Sequence, residues 1–106
     1  YLEKNPDTYD LFIKILDKSP KDHRNFLKAY ELFANHKDNR QSIQKIKTDT
    51  LIMTGSNDLG STPNMSKELA KDIANANYIE IKNGKHLCSI ECADDVNMNI
   101  RNFIKN

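Results

Sequence analysis

Thr50-Leu51-Ile52-Met53-Thr54-Gly55-Ser56-Asn57-Asp58, followed after one helix length by Tyr78-Ile79-Glu80-Ile81-Lys82-Asn83-Gly84-Lys85-His86, is the stretch that decides the fold. Thr50 to Thr54 is a short apolar run bounded by Asp49 and Gly55, which suits a strand buried on both faces. The turn formers from Gly55 to Gly60 end it, so Asp58 falls just past the strand's carboxyl end. Ser61-Thr62-Pro63 then supplies a hydroxyl cap and a proline at the first helical position, where a missing N–H costs nothing. Met65, Leu69, Ala70 and Ile73 mark that helix's apolar face, and Asn75-Ala76-Asn77 closes it. Tyr78 to Lys82, with its β-branched and aromatic residues, reads as the second strand, and Asn83-Gly84 turns the chain.

Strand, helix and strand joined by short loops form a βαβ unit, whose right-handed crossover makes the strands parallel. About eleven helical residues at ~1.5 Å rise return the chain ~16 Å, which five strand residues at ~3.3 Å also cover. Asp58 and His86 therefore emerge at one edge of one sheet. In open parallel sheets that edge is where ligands bind.

Outward from this unit the chain reads as helical. Asn5-Pro6-Asp7 is a helix start, followed by Tyr9, Phe12, Ile13 and Leu16 at helical spacing, with Leu11 and Ile15 widening the stripe. Ser19-Pro20 repeats the start signal, and Phe26, Leu27, Tyr30, Phe33 and Ala34 give a second amphipathic helix. The two make an αα-hairpin that must lean on something else to bury both stripes. Asp38 and Gln41 have capping-box spacing for a short helix to about Ile46, and the domain boundary is expected near His36 to Asp38. At the other end, Val96, Ile100, Phe103 and Ile104 line one face of a last helix, Ala93 to Asn106, which should pack back over the sheet. Asp94 and Asp95 at its start, and Arg101 and Lys105 near its end, suit the helix dipole.

Composition limits the function classes. The 106 residues suffice for one small domain, but 38% hydrophobic residues and a mean hydropathy of −0.73 are lean for a self-sufficient core. Sixteen basic and 15 acidic residues give a net charge of +1 with the lysines dispersed, so there is no electrostatic case for nucleic acid or an acidic membrane surface. No apolar run approaches the roughly 20 residues of a membrane span, and no signal peptide is visible. Two cysteines, Cys88 and Cys92, do not make a secreted disulfide framework, and a cytoplasmic location is expected. A chain that starts at Tyr1 rather than Met is expected to be a fragment or a processed product.

The segments Asp38 to Ile46, Thr50 to Asp58 and Gly84-Lys85-His86-Leu87, with the final helix, together resemble the carboxyl-terminal part of an α/β-hydrolase. Within that superfamily they are most similar to the 3-oxoadipate enol-lactonase-like esterases and lactonases. Those enzymes have a similar Asp turn before a proline-started helix and a similar His-Leu turn before the last helix. The likeness runs from about Asp38 to the end, while the first third looks like cap-domain helices. It implies an α/β fold in which residues 1–37 form a helical hairpin of a cap or lid, and residues 38–106 form the βαβα end of the parallel sheet. It also implies that Asp58 and His86 are the acid and base of a Ser-His-Asp triad, whose chain order is nucleophile, acid, histidine.

The departure from the family pattern is equally informative. Gly-x-Ser-x-Gly is absent from this sequence, and so is a glycine-rich oxyanion loop. The resemblance thus implies part of a serine hydrolase acting on a small ester or lactone, without a cofactor and with its nucleophile elsewhere. Haloalkane dehalogenases and C–C bond hydrolases of the same superfamily are alternatives that only the upstream nucleophile separates. From a different class, the alternative is a non-enzymatic α/β module that binds a partner through its helical hairpin. A chain with an unpaired sheet edge and an uncovered lid is also expected to self-associate when isolated.

Each candidate residue has an ordinary reading too. A lone Asp in a Gly-Ser-Asn turn is commonly a turn former, and a lone His after a strand is commonly structural. Their placement by one βαβ unit at one edge makes them candidates as a pair. His86, Cys88 and Cys92 are all good zinc ligands, but their spacing is not a standard one and no fourth ligand is obvious nearby, so no metal is expected. The cysteines read better as small buried hydrophobes. His23 and His36 lie among charged residues and read as solvated, while Glu91 could support the histidine loop but reads first as a surface acid.

Overall fold

The computed structural model describes residues 2–19, 24–36 and 40–105. Contacts divide the chain into two compact units, Tyr1–Asp38 and Asn39–Asn106.

In the first unit a single 3₁₀ turn, Leu2–Lys4, precedes α1, Pro6–Lys18. The proline start is as expected, but Asn5 makes no side-chain cap. Its carbonyl instead accepts from the Thr8 and Tyr9 amides at 3.1 and 3.2 Å. Helix α2 spans Arg24–Ala34. The Ser19-Pro20 start signal and the turn of the expected hairpin fall largely on residues 20–23, outside the described residues, as do His23 and Asp38. Neither helix buries a side chain: Phe26, Tyr30 and Phe33 lie exposed along α2, their rings 6.3 and 6.4 Å apart in succession.

The second unit opens with α3, Arg40–Ile43, which tightens into two turns closed by Lys45 N–H to Ser42 and Ile46 N–H to Ile43. Strand β1 is Thr50–Gly55, α4 is Pro63–Asp72 and β2 is Ala76–Ile81. The strands pair in parallel, from Thr50 opposite Ala76 to Gly55 opposite Ile81. This is the expected βαβ unit, but β2 begins two residues earlier than Tyr78 and ends before Lys82. Pairing overrides local preference here, since β1 supplies partners for Ala76 and Asn77 and the Thr50 amide bonds Asn75 O at 3.0 Å.

Alternation along the strands gives each helix its own face. Thr54 bonds Ser66, and Lys67 pairs with Glu80 at 3.0 Å beneath the Tyr78 ring, so α4 lies on the Ile52, Thr54, Tyr78 and Glu80 side. Leu51, Asn77 and Ile79 line a cleft with Asn99, Asn102 and Phe103, which puts the last helix on the opposite side. That helix, α6, spans Ala93–Lys105 and follows a single helical turn, α5, at Cys88–Glu91.

Three expectations about burial need correction. Leu51, Ile52 and Met53 are half-buried rather than enclosed, because the sheet of the described residues has two strands and a free edge on each. Met65 is exposed on α4, whose anchor is Ile73 just past its end. Ile104 is exposed on α6 where Val96 is buried and Phe103 half-buried, since a two-stranded sheet is too narrow to cover the helix's last turn. The buried apolar side chains among the described residues are Ile73, Ile81 and Val96, a small core.

Candidate active site

The site is built where the loops after β1 and β2 touch. Gly55 ends β1 so close to the second loop that a Cβ there would stand 2.4 Å from the Gly84 carbonyl carbon and 2.6 Å from Lys85 O. Only a glycine permits that approach. Gly84 is equally confined, by Cys88, Gly55 and Ile81. Asn83 makes the turn into it with φ of 62°, a left-handed conformation that asparagine tolerates.

Three hydrogen bonds lace the two loops. Ser56 N–H donates to Ile81 O at 2.9 Å and Asn57 N–H to Gly84 O at 2.8 Å, while Asn83 N–H donates to Ser56 Oγ at 2.9 Å. Within the second loop, Gly84 N–H donates to Ile81 O at 3.2 Å. The loops therefore behave as one piece.

On this base Asp58 is 7% exposed and uses both carboxylate oxygens. Oδ1 accepts from the Gly60 and Ser61 amides, each at 2.9 Å, and Oδ2 lies 2.9 Å from His86 Nδ1. The Ser61 N–H is the chief cause holding this carboxyl below its ordinary value of 3.8. Burial opposes it, and the His86 ring and the Gly60 N–H add to it. A carboxylate so held selects the His86 tautomer with its proton on Nδ1, leaving Nε2 free to accept one. The His86 side chain is 72% exposed, and the pair borders an open depression lined by Asn57, Leu59, Gly60 and Lys85.

The expected meeting of Asp58 and His86 is thus present, across 28 residues of sequence. Other candidates are not drawn in. His36, in the first unit, is exposed. Cys88 and Cys92 are free thiols. Cys88 packs behind Gly84, and Cys92 sits 3.9 Å from Lys82 O with burial pushing its thiol pKa up. Among the described residues no group of three or more His, Cys, Asp or Glu could hold a metal ion.

No family model matches the chain, and no curated protein matches it. A solved structure does: the enol-lactonase from Burkholderia xenovorans LB400, at 35% sequence identity and a TM-score of 0.61, over 65% of this chain and 26% of that one. The likeness supports an α/β-hydrolase relationship. This chain spans about a quarter of that enzyme's length.

The supports of the pair are less visible in the sequence than the pair itself. Gly55 and Gly84 were read as ordinary breakers, yet they are the contact that lets the loops meet. Ser56 was read as a turn former, yet its hydroxyl ties down Asn83. Glu91, favoured by the sequence as a surface acid with support of the histidine loop as the alternative, accepts the Lys85 amide at 3.0 Å from α5, a helical turn with no signal in the sequence. A signal existed for the glycines: both stand at strand ends that the βαβ unit brings side by side.

Proposed function

We propose that this chain supplies the acid and the histidine of a Ser-His-Asp triad in a serine hydrolase that cleaves a small ester or lactone. The observation that carries the reading is the 2.9 Å contact of Asp58 Oδ2 with His86 Nδ1 at the carboxyl edge of parallel strands. Likeness to a protein described as an enol-lactonase adds support. In this reading His86 takes the proton of a serine hydroxyl at Nε2 and returns it to the leaving group. Asp58 orients the ring and stabilises the imidazolium. The nucleophile and the oxyanion hole belong to polypeptide outside this sequence, residues 1–37 serve as cap-type helices, and the protein works in the cytoplasm. No helix of the described residues is long and apolar enough to cross a membrane.

A second reading rests on the exposed Phe26, Tyr30 and Phe33 of α2, which suit a partner-binding helix without enzymatic activity. Activity separates the two. On an activated aryl ester the 106-residue chain should do no better than its His86→Ala control, because a base and its orienter lack both attacking group and oxyanion donors. The longer protein that the hydrolase reading requires should turn the ester over and lose that activity with His86→Ala. Turnover indifferent to His86 overturns the hydrolase reading.

A further inference from the structure

We infer that Glu91 is a positioning residue for His86, holding the histidine loop through the Lys85 peptide rather than touching the reacting groups. This rests on the reading of Asp58 and His86 as an acid–base pair. Asp58 fixes only one ring atom of His86, whose side chain is otherwise mostly in solvent. The position from which the ring is launched must therefore come from the main chain before it.

That main chain is restrained at successive groups. Gly84 O accepts from Asn57 N–H at 2.8 Å, and Lys85 O accepts from Cys88 N–H at 3.1 Å. Between them, the Lys85 amide donates to Glu91 Oε2 at 3.0 Å. Without Glu91 this would be the one amide of the 84–85 segment with no acceptor in the protein.

The helical turn α5 makes the arrangement self-consistent. Glu91 N–H donates to Leu87 O at 3.0 Å and Cys92 N–H to Cys88 O at 2.8 Å. These bonds place the Glu91 carboxylate one turn on from His86, facing back along the chain. An ionised acceptor on a backbone amide is stronger than a neutral one. It closes the segment from Lys85 to Glu91 into a ring with His86 inside it.

The test reads backbone and imidazole by NMR in the 106-residue chain, kept below the concentration at which light scattering shows self-association, and neither measurement requires turnover. Lys85 should be a slowly exchanging amide in the native chain. Glu91→Ala should speed its exchange about tenfold or more, with the Ser56 and Thr50 amides unchanged as a control for the fold. The same variant should shift the ¹⁵N signals of His86 from one dominant Nδ1-protonated tautomer towards a mixture. Glu91→Gln keeps a side-chain oxygen in place and should restore both. Glu91→Asp, one methylene short, should not. Should Glu91→Ala unfold, the Gln and Asp pair decides. A Lys85 amide unprotected in the native chain, or a His86 tautomer unmoved when the Lys85 amide is released, overturns the proposal. An Asp58–His86 pair that proves catalytically silent would leave these measurements as they stand and count only against the hydrolase reading.

Discussion

Asp58 carries more bonds than any other side chain at the site, and its behaviour towards acid follows from them. Its carboxyl is held below 3.8 in the folded chain, chiefly by the Ser61 N–H. The unfolded state therefore binds this proton more readily. The stabilisation is complete above the unfolded value and is lost as pH falls through the lower folded value. An NMR titration of the Asp58 carboxyl should give a midpoint below 3.8, and a midpoint at or above it would contradict the bonding described. Asp58→Asn makes a complementary probe. Its amide oxygen can still accept from Gly60 and Ser61, but the NH₂ would then face Nδ1 and force the His86 proton onto Nε2. In the longer enzyme that the hydrolase reading requires, that substitution should preserve the fold and cost up to about 10⁴ in kcat. Asp58 and His86 were legible in the sequence because strand ends can be located from turn formers. Glu91 was legible only as the less favoured of two readings, since its acceptor role depends on the path of a loop that no periodicity specifies.

At the scale of elements, the contact between the two loops sets the tightest constraint. Gly55→Ala would drive a methyl group into the Gly84–Lys85 backbone, which cannot swing aside as a flexible side chain would. A loss of roughly 1–3 kcal/mol is expected, measured as a shift in the urea midpoint, together with loss of the Asp58–His86 bond. Helix α4 provides a milder contrast. Thr62 Oγ1 accepts the Met65 amide at 3.4 Å, so Thr62→Ala should cost only about 0.5–1 kcal/mol and leave the site intact. The proline start and hydroxyl cap of α4 were readable because capping is local chemistry. The start of β2 was not, because Ala76 and Asn77 have no strand preference of their own and become strand only by pairing with Thr50 and Leu51.

For the whole molecule, the balance between core and surface decides behaviour in solution. The buried apolar set of the described residues is small, the sheet has two strands with free edges, and α2 carries an exposed aromatic row. Two-stranded sheets are marginal in water, and open edges pair with whatever strand they meet. The isolated 106-residue chain should therefore self-associate, with a light-scattering mass that rises with concentration. A compact monomer with one cooperative melting transition would contradict this. Lean composition made the shortage of core visible in the sequence, but which apolar residues stay wet was not, since Met65 and Ile104 fit their helical stripes as well as the buried residues do.

The parallel register of β1 and β2 also bears on how the site comes into being. The Asp58 and His86 side chains meet only when Gly55 stands opposite Ile81, and a slip of one residue would displace the histidine by ~3.3 Å, more than the bond can stretch. During refolding the site should thus arise in a single event with correct strand alignment, never in partial form. The Nδ1 proton of His86 then serves as a built-in reporter of alignment, visible in correctly zipped molecules and silent in mispaired ones.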